Sequence, residues 1–521
     1  MQEKFVLDSK IEGIRSKIKP QWKWAFLACF LMGVFTFGYS MTNHFLTYDS
    51  LWNLVSDQDM ISSGRQFLTY ACKISTDYDL PWLNGMLAIL YMSLAAVFVV
   101  EGLGIRSKYL AALSGMILVT FPSMASTFCY SYTIDGYMLA VLLVTLAFVL
   151  TDRKKWGFAG GIFLLGISIG IYQAYFSFVI LLCILKLLLY ILDGEKISSI
   201  FGKIWRYVVM GIGGYAFYYI SLQIMMKLKQ VNLSQYQGVD NLESFSLSDI
   251  PAGIIGAYKT FFNFLRSPGA LATNKLMYAV VLLMIVSGVG IYLWKFISTK
   301  SDKKWVRLLL IALLLIATPV GATVVCVMAP DMYFHLIMRL PWALFFVFVL
   351  ALAERIPNST KELFKKFRVI SATGICVLSI LMVSQFAITA NVVAFNMEER
   401  YEKTYGLCVR IVDRLEQTEG YKLGDRVAFV GGGVDQRKYP YTDFTSAYLK
   451  GYFGAEGTLA ANDTEKFVVF CIHYLNTTIV NASWEEQVEA IQTEEFKNMD
   501  TFPAESSIKK IGDIWVVKLN G

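Results

Sequence analysis

Apolar stretches long enough to cross a bilayer recur along this chain, and the connections between them alternate between strongly basic and mostly acidic. Windows such as 24–41, 82–100, 109–125, 176–192, 205–226, 277–296 and 369–389 approach or reach the ~20 apolar residues that cross a hydrocarbon core as helix. Lipid offers backbone groups no hydrogen-bond partner, so each crossing segment must satisfy its own and be helical. With 56% hydrophobic residues in 521, the composition is that of a polytopic membrane protein. The predicted fold class is therefore mainly α, a membrane helix bundle with a small α/β domain at the C-terminus. Eleven spans are expected, near 23–41, 82–100, 109–127, 136–151, 157–171, 176–192, 205–226, 276–297, 306–322, 340–354 and 369–392. The run 157–192 is too long for one crossing at ~1.5 Å per residue, and Tyr172-Gln173 offers a polar turn in its middle.

Lysine and arginine set the expected orientation. One set of connections carries 24 of them and the opposite set, before residue 392, carries 8. The positive-inside rule then predicts a cytoplasmic N-terminus and an extracytoplasmic C-terminal segment. That asymmetry accounts for the net charge of +7, so nucleic acid is not an expected partner. The basic N-terminal stretch runs into an apolar segment without a small-residue cleavage site, which reads as a retained first helix. Eight scattered cysteines show no metal-ligand spacing, and Cys408 and Cys471 read as small apolar residues whose pairing is left open.

The chain divides on this reading into a transmembrane catalytic domain, 1–392, with outer loops 42–81, 227–275 and 323–339, and an outer α/β domain, 393–521. Within 227–275, the stretch 250–265 reads as an amphipathic segment on the membrane surface. In the outer domain 398–417 and 484–491 have helical spacing, while 426–430, 466–472 and 514–519 read as strands. Gly431-Gly432-Gly433 reads as a plain turn, since a lone glycine cluster is a weak nucleotide signal.

Ionisable residues near the membrane are costly and mark candidate sites. Loop 42–81 is the densest, with Tyr48-Asp49-Ser50, Asp57, Asp59, Gly64-Arg65, Asp77 and Asp79. Asp49 lies a few residues past the first span, where a carboxylate can accept a proton from a sugar hydroxyl. A second cluster is Pro122, Tyr132, Asp135 and Met138, in which Asp135 also suits an N-cap. Tyr172 and Gln173 suit hydroxyl recognition. Asp331, His335 and Arg339 precede the tenth span, and Arg339 or Arg65 suits a bidentate grip on phosphate. No zinc constellation appears, no cofactor is identified, and the loop carboxylates leave a divalent metal open but unsupported.

In order along the chain, Tyr48-Asp49, Gly64-Arg65, Pro122…Tyr132…Asp135…Met138, Tyr172-Gln173, Arg339-Leu340-Pro341, and Arg410-Ile411 with Asp425 to Gly431 resemble the GtrII-type glucosyl transferase family. The resemblance implies a multi-pass transferase of the bacterial-type plasma membrane, of the GT-C kind. Such an enzyme takes a hexose, often glucose, from a polyprenyl-phosphate donor and attaches it to a cell-surface or cell-envelope glycan outside the bilayer. It implies catalytic roles for Asp49, Arg65 and Asp135, and substrate binding by Tyr48, Tyr132, Tyr172, Gln173 and Arg339. The family commonly has a second acidic residue where this chain has Ser50, leaving Asp49 as the lone carry-over. The alternative reading is a transporter or flippase for a lipid-linked glycan. It would favour midplane charges on broken helices in repeated halves, whereas here the charges crowd the outer loops.

Overall fold

The computed structural model describes residues 13, 16–234, 249–266, 269–299, 303–329, 333–356, 362–435, 438, 449 and 451–520. Asp331, Lys4, Lys10 and Arg15, and parts of loops 227–275 and 323–339, lie outside the described residues. The long helices in chain order are α1 (Pro20–Thr42), the short α2 (Leu68–Cys72), α3 (Pro81–Leu103), α4 (Lys108–Thr120) and α5 (Pro122–Phe128). They continue with α6 (Ile134–Arg153), α7 (Gly157–Ile171), α8 (Phe176–Leu192), α9 (Ile197–Lys229), α10 (Ile250–Arg266), α11 (Lys275–Ser298) and α12 (Lys304–Ala322). After α13 (Val325–Met328), a 3-10 turn Leu336–Trp342 leads into α14 (Ala343–Ala353), and α15 runs from Glu362 to Gln417.

Among the described residues nine helical segments are long and apolar enough to cross a membrane, and ten if α4 and α5 form one bent span. Ten of the eleven expected spans are accounted for in this way. The bend of 44° between α4 and α5 falls at Phe121-Pro122, where proline cannot continue the hydrogen-bond ladder. The remaining one, α7, has 15 residues and so measures about 22 Å, short of a ~30 Å core. It stops because Tyr172 turns extended, at φ −156° and ψ 112°, before the 3-10 turn Gln173–Tyr175. Glycines let α7 approach its neighbours: Gly161 lies against Thr151 of α6, and Gly166 against Phe217 of α9. The segment expected on the membrane surface is helix α10, whose Gly253 meets the backbone of Val327.

The last span does not end at the bilayer. Helix α15 is continuous over 56 residues, so the expected boundary at 392 falls inside one rigid element. Its far end carries a four-stranded sheet of β1 (Arg426–Val430), β2 (Val480–Asn481), β3 (Ile508–Ile511) and β4 (Ile514–Lys518) in the order β2-β1-β4-β3. β1 pairs in parallel with β2 and β4, and β3 with β4 is an antiparallel hairpin. The stretch 466–472, expected as a strand, is instead the core of helix α16 (Thr464–Leu475). Parallel neighbours need a crossover, and Asp463 caps this one by accepting from the Lys466 N–H at 2.9 Å. The apolar run that resembled a strand buries Phe467, Val468, Phe470 and Cys471 on the helix's inner face. The expected helix is α17 (Trp484–Gln492), opened by a Ser483/Glu486 capping box.

The core of this unit is shared with the first loop. Leu46 and Leu51 pack in one cluster with Leu407, Ile411, Phe467 and Phe470. Cys408 and Cys471 are both buried there as free thiols.

Helices α1 and α4 approach closely at Gly115. A Cβ on Gly115 would lie 2.5 Å from the Ala25 carbonyl oxygen and 3.0 Å from the Cys29 Cβ, whereas one on Gly290 of α11 would meet nothing. Gly115→Val is therefore expected to lower thermal stability in detergent by the ~1–3 kcal/mol typical of overpacking. Gly290→Ala should leave the melting temperature unchanged or raise it. Equal melting of the two variants would contradict this packing.

Candidate active site

Loop 42–81 folds back on the helix ends through a series of short turns. Ser50–Trp52 and Ile61–Ser63 are single 3-10 turns, the second closed by Gly64 at φ 70°. A Cβ there would lie 2.6 Å from Gln173 Nε2 and 2.8 Å from the Tyr218 hydroxyl oxygen, so both backbone conformation and space require glycine. Gln173 Nε2 donates to the Ser63 and Gly64 carbonyls, each at 2.9 Å. Gln66 Nε2 donates to the Tyr218 carbonyl at 3.1 Å, and the Phe67 N–H donates to the Gly170 carbonyl at 2.9 Å. The residue between Gly64 and Gln66 is thus pinned on both sides.

That residue is Arg65. Its Nη1 donates to the Tyr137 hydroxyl at 2.9 Å, and its guanidinium lies 4.9 Å from the Tyr172 ring centre. Tyr137 and Tyr172 stack on each other at 4.5 Å. A guanidinium set against ring faces is suited to meet an anionic ligand.

Arg65 faces a cavity of about 410 Å³ whose walls also include Asp49, Trp52, Asn53, Tyr130, Tyr132, Tyr137, Tyr172, Gln173, His335 and Phe453. These come from loop 42–81, the α5–α6 and α7–α8 corners, the segment before α14 and the C-terminal unit. All lie at the end of the bundle where that unit sits. The size suits a sugar and a phosphate rather than a water molecule. Asp49 has an exposed surface, yet the surrounding protein holds its carboxyl above the usual carboxylate range, with Lys466 pulling the other way. Burial and the charges of Arg65 and Arg339 hold His335 below the usual imidazole range, which favours its neutral form.

The structure brings Asp49, Arg65, Tyr132, Tyr172 and Gln173 to one cavity and leaves three expected residues out of its lining. Asp135, 1% exposed, accepts from Ser75 Oγ at 2.5 Å behind the wall. Tyr48 faces the C-terminal unit, its ring 4.9 Å from the Arg400 guanidinium and 5.6 Å from Lys466 Nζ. Arg339 packs over Phe264 at 4.3 Å and Phe334 at 5.0 Å, and donates to the Phe334 and Thr260 carbonyls. Gln173 lines the cavity while its amide donates to the Ser63 and Gly64 carbonyls.

Ser50 is not among the residues that line the cavity. Buried, its hydroxyl exchanges hydrogen bonds with Thr47, at 2.8 Å to the threonine Oγ1 and 3.2 Å from the backbone N–H. Among the described residues no three His, Cys, Asp or Glu side chains form a metal-binding group. Tyr137, Tyr130, Trp52, Asn53 and Phe453 were not singled out from sequence. Trp52 and Asn53 follow Asp49 on the same turn, which is a signal of a kind, whereas nothing local in the sequence points to Phe453.

The family model Glucosyl transferase GtrII matches residues 38–352, more than half of the chain. The chain belongs to that family. Membership makes it a membrane glucosyltransferase, and it places loop 42–81, both tyrosine-rich corners and the segment before α14 inside the matched region. Helix α15 and the sheet lie beyond it. Comparison with curated proteins and with solved structures gives no match.

Gln173→Glu tests the pinning of Arg65. The replacement is isosteric but sets a carboxylate against two carbonyl oxygens, so thermal stability should fall by about 1–3 kcal/mol. Unchanged stability would mean that the side chain serves the ligand alone.

Proposed function

We propose that this glucosyltransferase transfers glucose from a polyprenyl-phosphate carrier to a cell-envelope glycan, in a cavity on the outer face of the plasma membrane. The observation that carries the reading is that Asp49 and Arg65 line one cavity. Asp49 would take the proton from the acceptor hydroxyl as its oxygen bonds to the anomeric carbon. The bond from that carbon to the phosphate oxygen breaks, and the electron pair leaves with polyprenyl phosphate. Arg65 would stabilise that phosphate, held in place by Tyr137 and Gln173. Tyr132 and Tyr172 would orient the sugar. Arg339, packed between two phenylalanines, would shape the wall without touching phosphate, and Asp135 would support it through Ser75. The bilayer holds the donor tail, so confinement supplies much of the positioning.

The outer-face placement rests on the 24-to-8 distribution of basic residues. In a variant stripped of its native cysteines, an impermeant maleimide should label Glu485→Cys in intact cells and Lys155→Cys only after lysis. The reverse pattern would move the reaction to the cytoplasm.

The role of Asp49 is tested by single-turnover transfer from undecaprenyl-phosphate [14C]glucose to the purified envelope polysaccharide of the host cell. Asp49→Asn should still bind donor while transfer drops by the ~10²–10⁴-fold typical of a lost general base. Because its surroundings raise the Asp49 carboxyl, wild-type transfer should fall with decreasing pH already above the ordinary carboxylate range. That acid limb should disappear in the variant. Near-normal transfer by Asp49→Asn would remove the base, and carriage of the lipid-linked sugar across vesicles without a new glycosidic bond would identify a transporter.

A further inference from the structure

The matched family region ends before α15, yet one wall of the cavity comes from beyond it. Phe453, 37% exposed, is presented by a segment that the buried face of α15 holds in place. Asn396 Nδ2 donates to the Ala455 carbonyl at 2.6 Å. Four residues on, Arg400 donates from Nε and Nη2 to the Leu459 carbonyl at 3.0 and 2.9 Å, and from Nη1 to the Gly454 carbonyl. Four further on, Thr404 Oγ1 accepts from the Ala460 N–H at 2.7 Å. The spacing of four puts all three on one helix face.

The segment also fits its other neighbour. Gly454, at φ 93°, sits close against that neighbour, because a Cβ would lie 3.1–3.3 Å from Thr47, Cys129 and the Tyr130 hydroxyl. At Gly457, φ 91°, an added Cβ would lie 2.9 Å from the Tyr48 hydroxyl. So the strand of chain that carries Phe453 is clamped between α15 and the turn that carries Asp49. Phe453 then meets His335 at 4.9 Å and Tyr333 at 5.0 Å in edge-to-face contacts, with His335 and Tyr333 at 4.8 Å from each other. Trp52, 53% exposed, lines the same cavity from the turn that carries Asp49.

Exposed aromatic rings held rigidly at a water-filled rim present flat apolar surface at a low conformational cost. A pyranose offers the matching surface, a face of C–H bonds with hydroxyls at its edge. We infer that Phe453 and Trp52 form the acceptor subsite of this enzyme, stacking a neutral pyranose residue of the glycan so that its hydroxyl meets Asp49. Asn396, Arg400 and Thr404 are its positioning residues. The assignment to the acceptor follows from the company each group keeps. Arg65 is held against the buried rings of Tyr137 and Tyr172 at the helix ends, the side that would face a lipid-borne donor, while Trp52 and Phe453 are exposed on the loop and on the C-terminal unit. This inference rests on the function proposed above.

The test uses full-length protein in detergent, undecaprenyl-phosphate [14C]glucose and the host cell's purified envelope polysaccharide, with KM measured for each substrate. Phe453→Ala and Trp52→Ala should each raise the acceptor KM about tenfold while the donor KM stays within about twofold, and Phe453→Tyr should restore the wild-type value. Phe453 is partly exposed, so its truncation opens no core, and circular dichroism with thermal melting checks that the fold is kept. Arg400→Lys should raise the acceptor KM in the same direction with a lower melting temperature. A rise in donor KM alone, or no change in either, would overturn the subsite.

Saturation-transfer NMR with the same polysaccharide separates this inference from the function on which it rests. If wild-type protein binds the glycan in a Phe453-dependent way yet forms no glycosidic bond, the transferase reading falls and the subsite stands. If transfer proceeds but glycan binding ignores Phe453, the subsite falls alone. If wild-type protein neither binds nor glucosylates the glycan, both are overturned.

Discussion

A guanidinium in an apolar interior must find acceptors for its donors or destabilise the fold by several kcal/mol. Arg400, 1% exposed, finds them in the Leu459 and Gly454 carbonyls and lies against the Tyr48 ring at 4.9 Å. Those contacts tie three parts of the chain together: the long helix α15, the segment 454–459 and the loop that carries Asp49. Leu46 and Leu51 in the core of the C-terminal unit extend the same joint, and His44 adds to it by linking Asp79 at 3.0 Å with the Tyr474 hydroxyl at 3.4 Å. The sheet-bearing unit is consequently built onto the cavity wall, and the 56-residue helix removes the hinge that a loop would have supplied.

The cavity itself follows a second constraint. Its charged groups come from connections, since charges inside the spans are expensive, but connections are intrinsically loose. The chain compensates by anchoring one loop to the ends of several helices. Gln173 bonds the Ser63 and Gly64 carbonyls, and Gln66 reaches α9 at the Tyr218 carbonyl and the Ser221 hydroxyl. The donors in these anchoring bonds are neutral side-chain amides. A pinned cation and an accessible Asp49 on one cavity are what the proposed displacement of a phosphate by a sugar hydroxyl would use.

Much of this architecture is legible in the residues because lipid imposes a period and a length on each span. The short helix α7 matched its expected range, and it stops at Ile171 because Tyr172 takes an extended backbone that no hydropathy sum registers. The stretch 466–472 misled for a related reason: a half-buried helix rich in Val and Phe looks like a strand until the parallel pairing of β1 with β2 demands a crossover. Asp49, Arg65, Tyr132 and Tyr172 were legible as site candidates because polar side chains at apolar boundaries stand out. Tyr48, Asp135 and Arg339 stand out by the same signal, but their partners, Arg400, Ser75 and the two phenylalanines, are visible only in three dimensions. Phe453 was invisible because its role depends on a helix face formed by Asn396, Arg400 and Thr404 rather than on its neighbours in sequence.

The central claim is that the cavity between Asp49 and Arg65 receives a lipid-borne phosphate. The most direct measurement is a cryo-electron microscopy map of the protein in nanodiscs saturated with undecaprenyl phosphate. The account predicts density for the phosphate within about 3 Å of the Arg65 guanidinium, inside the cavity and facing Asp49, with the tail leaving between helices. Phosphate held instead at Arg339, or a saturated sample whose cavity carries no lipid density, would contradict it.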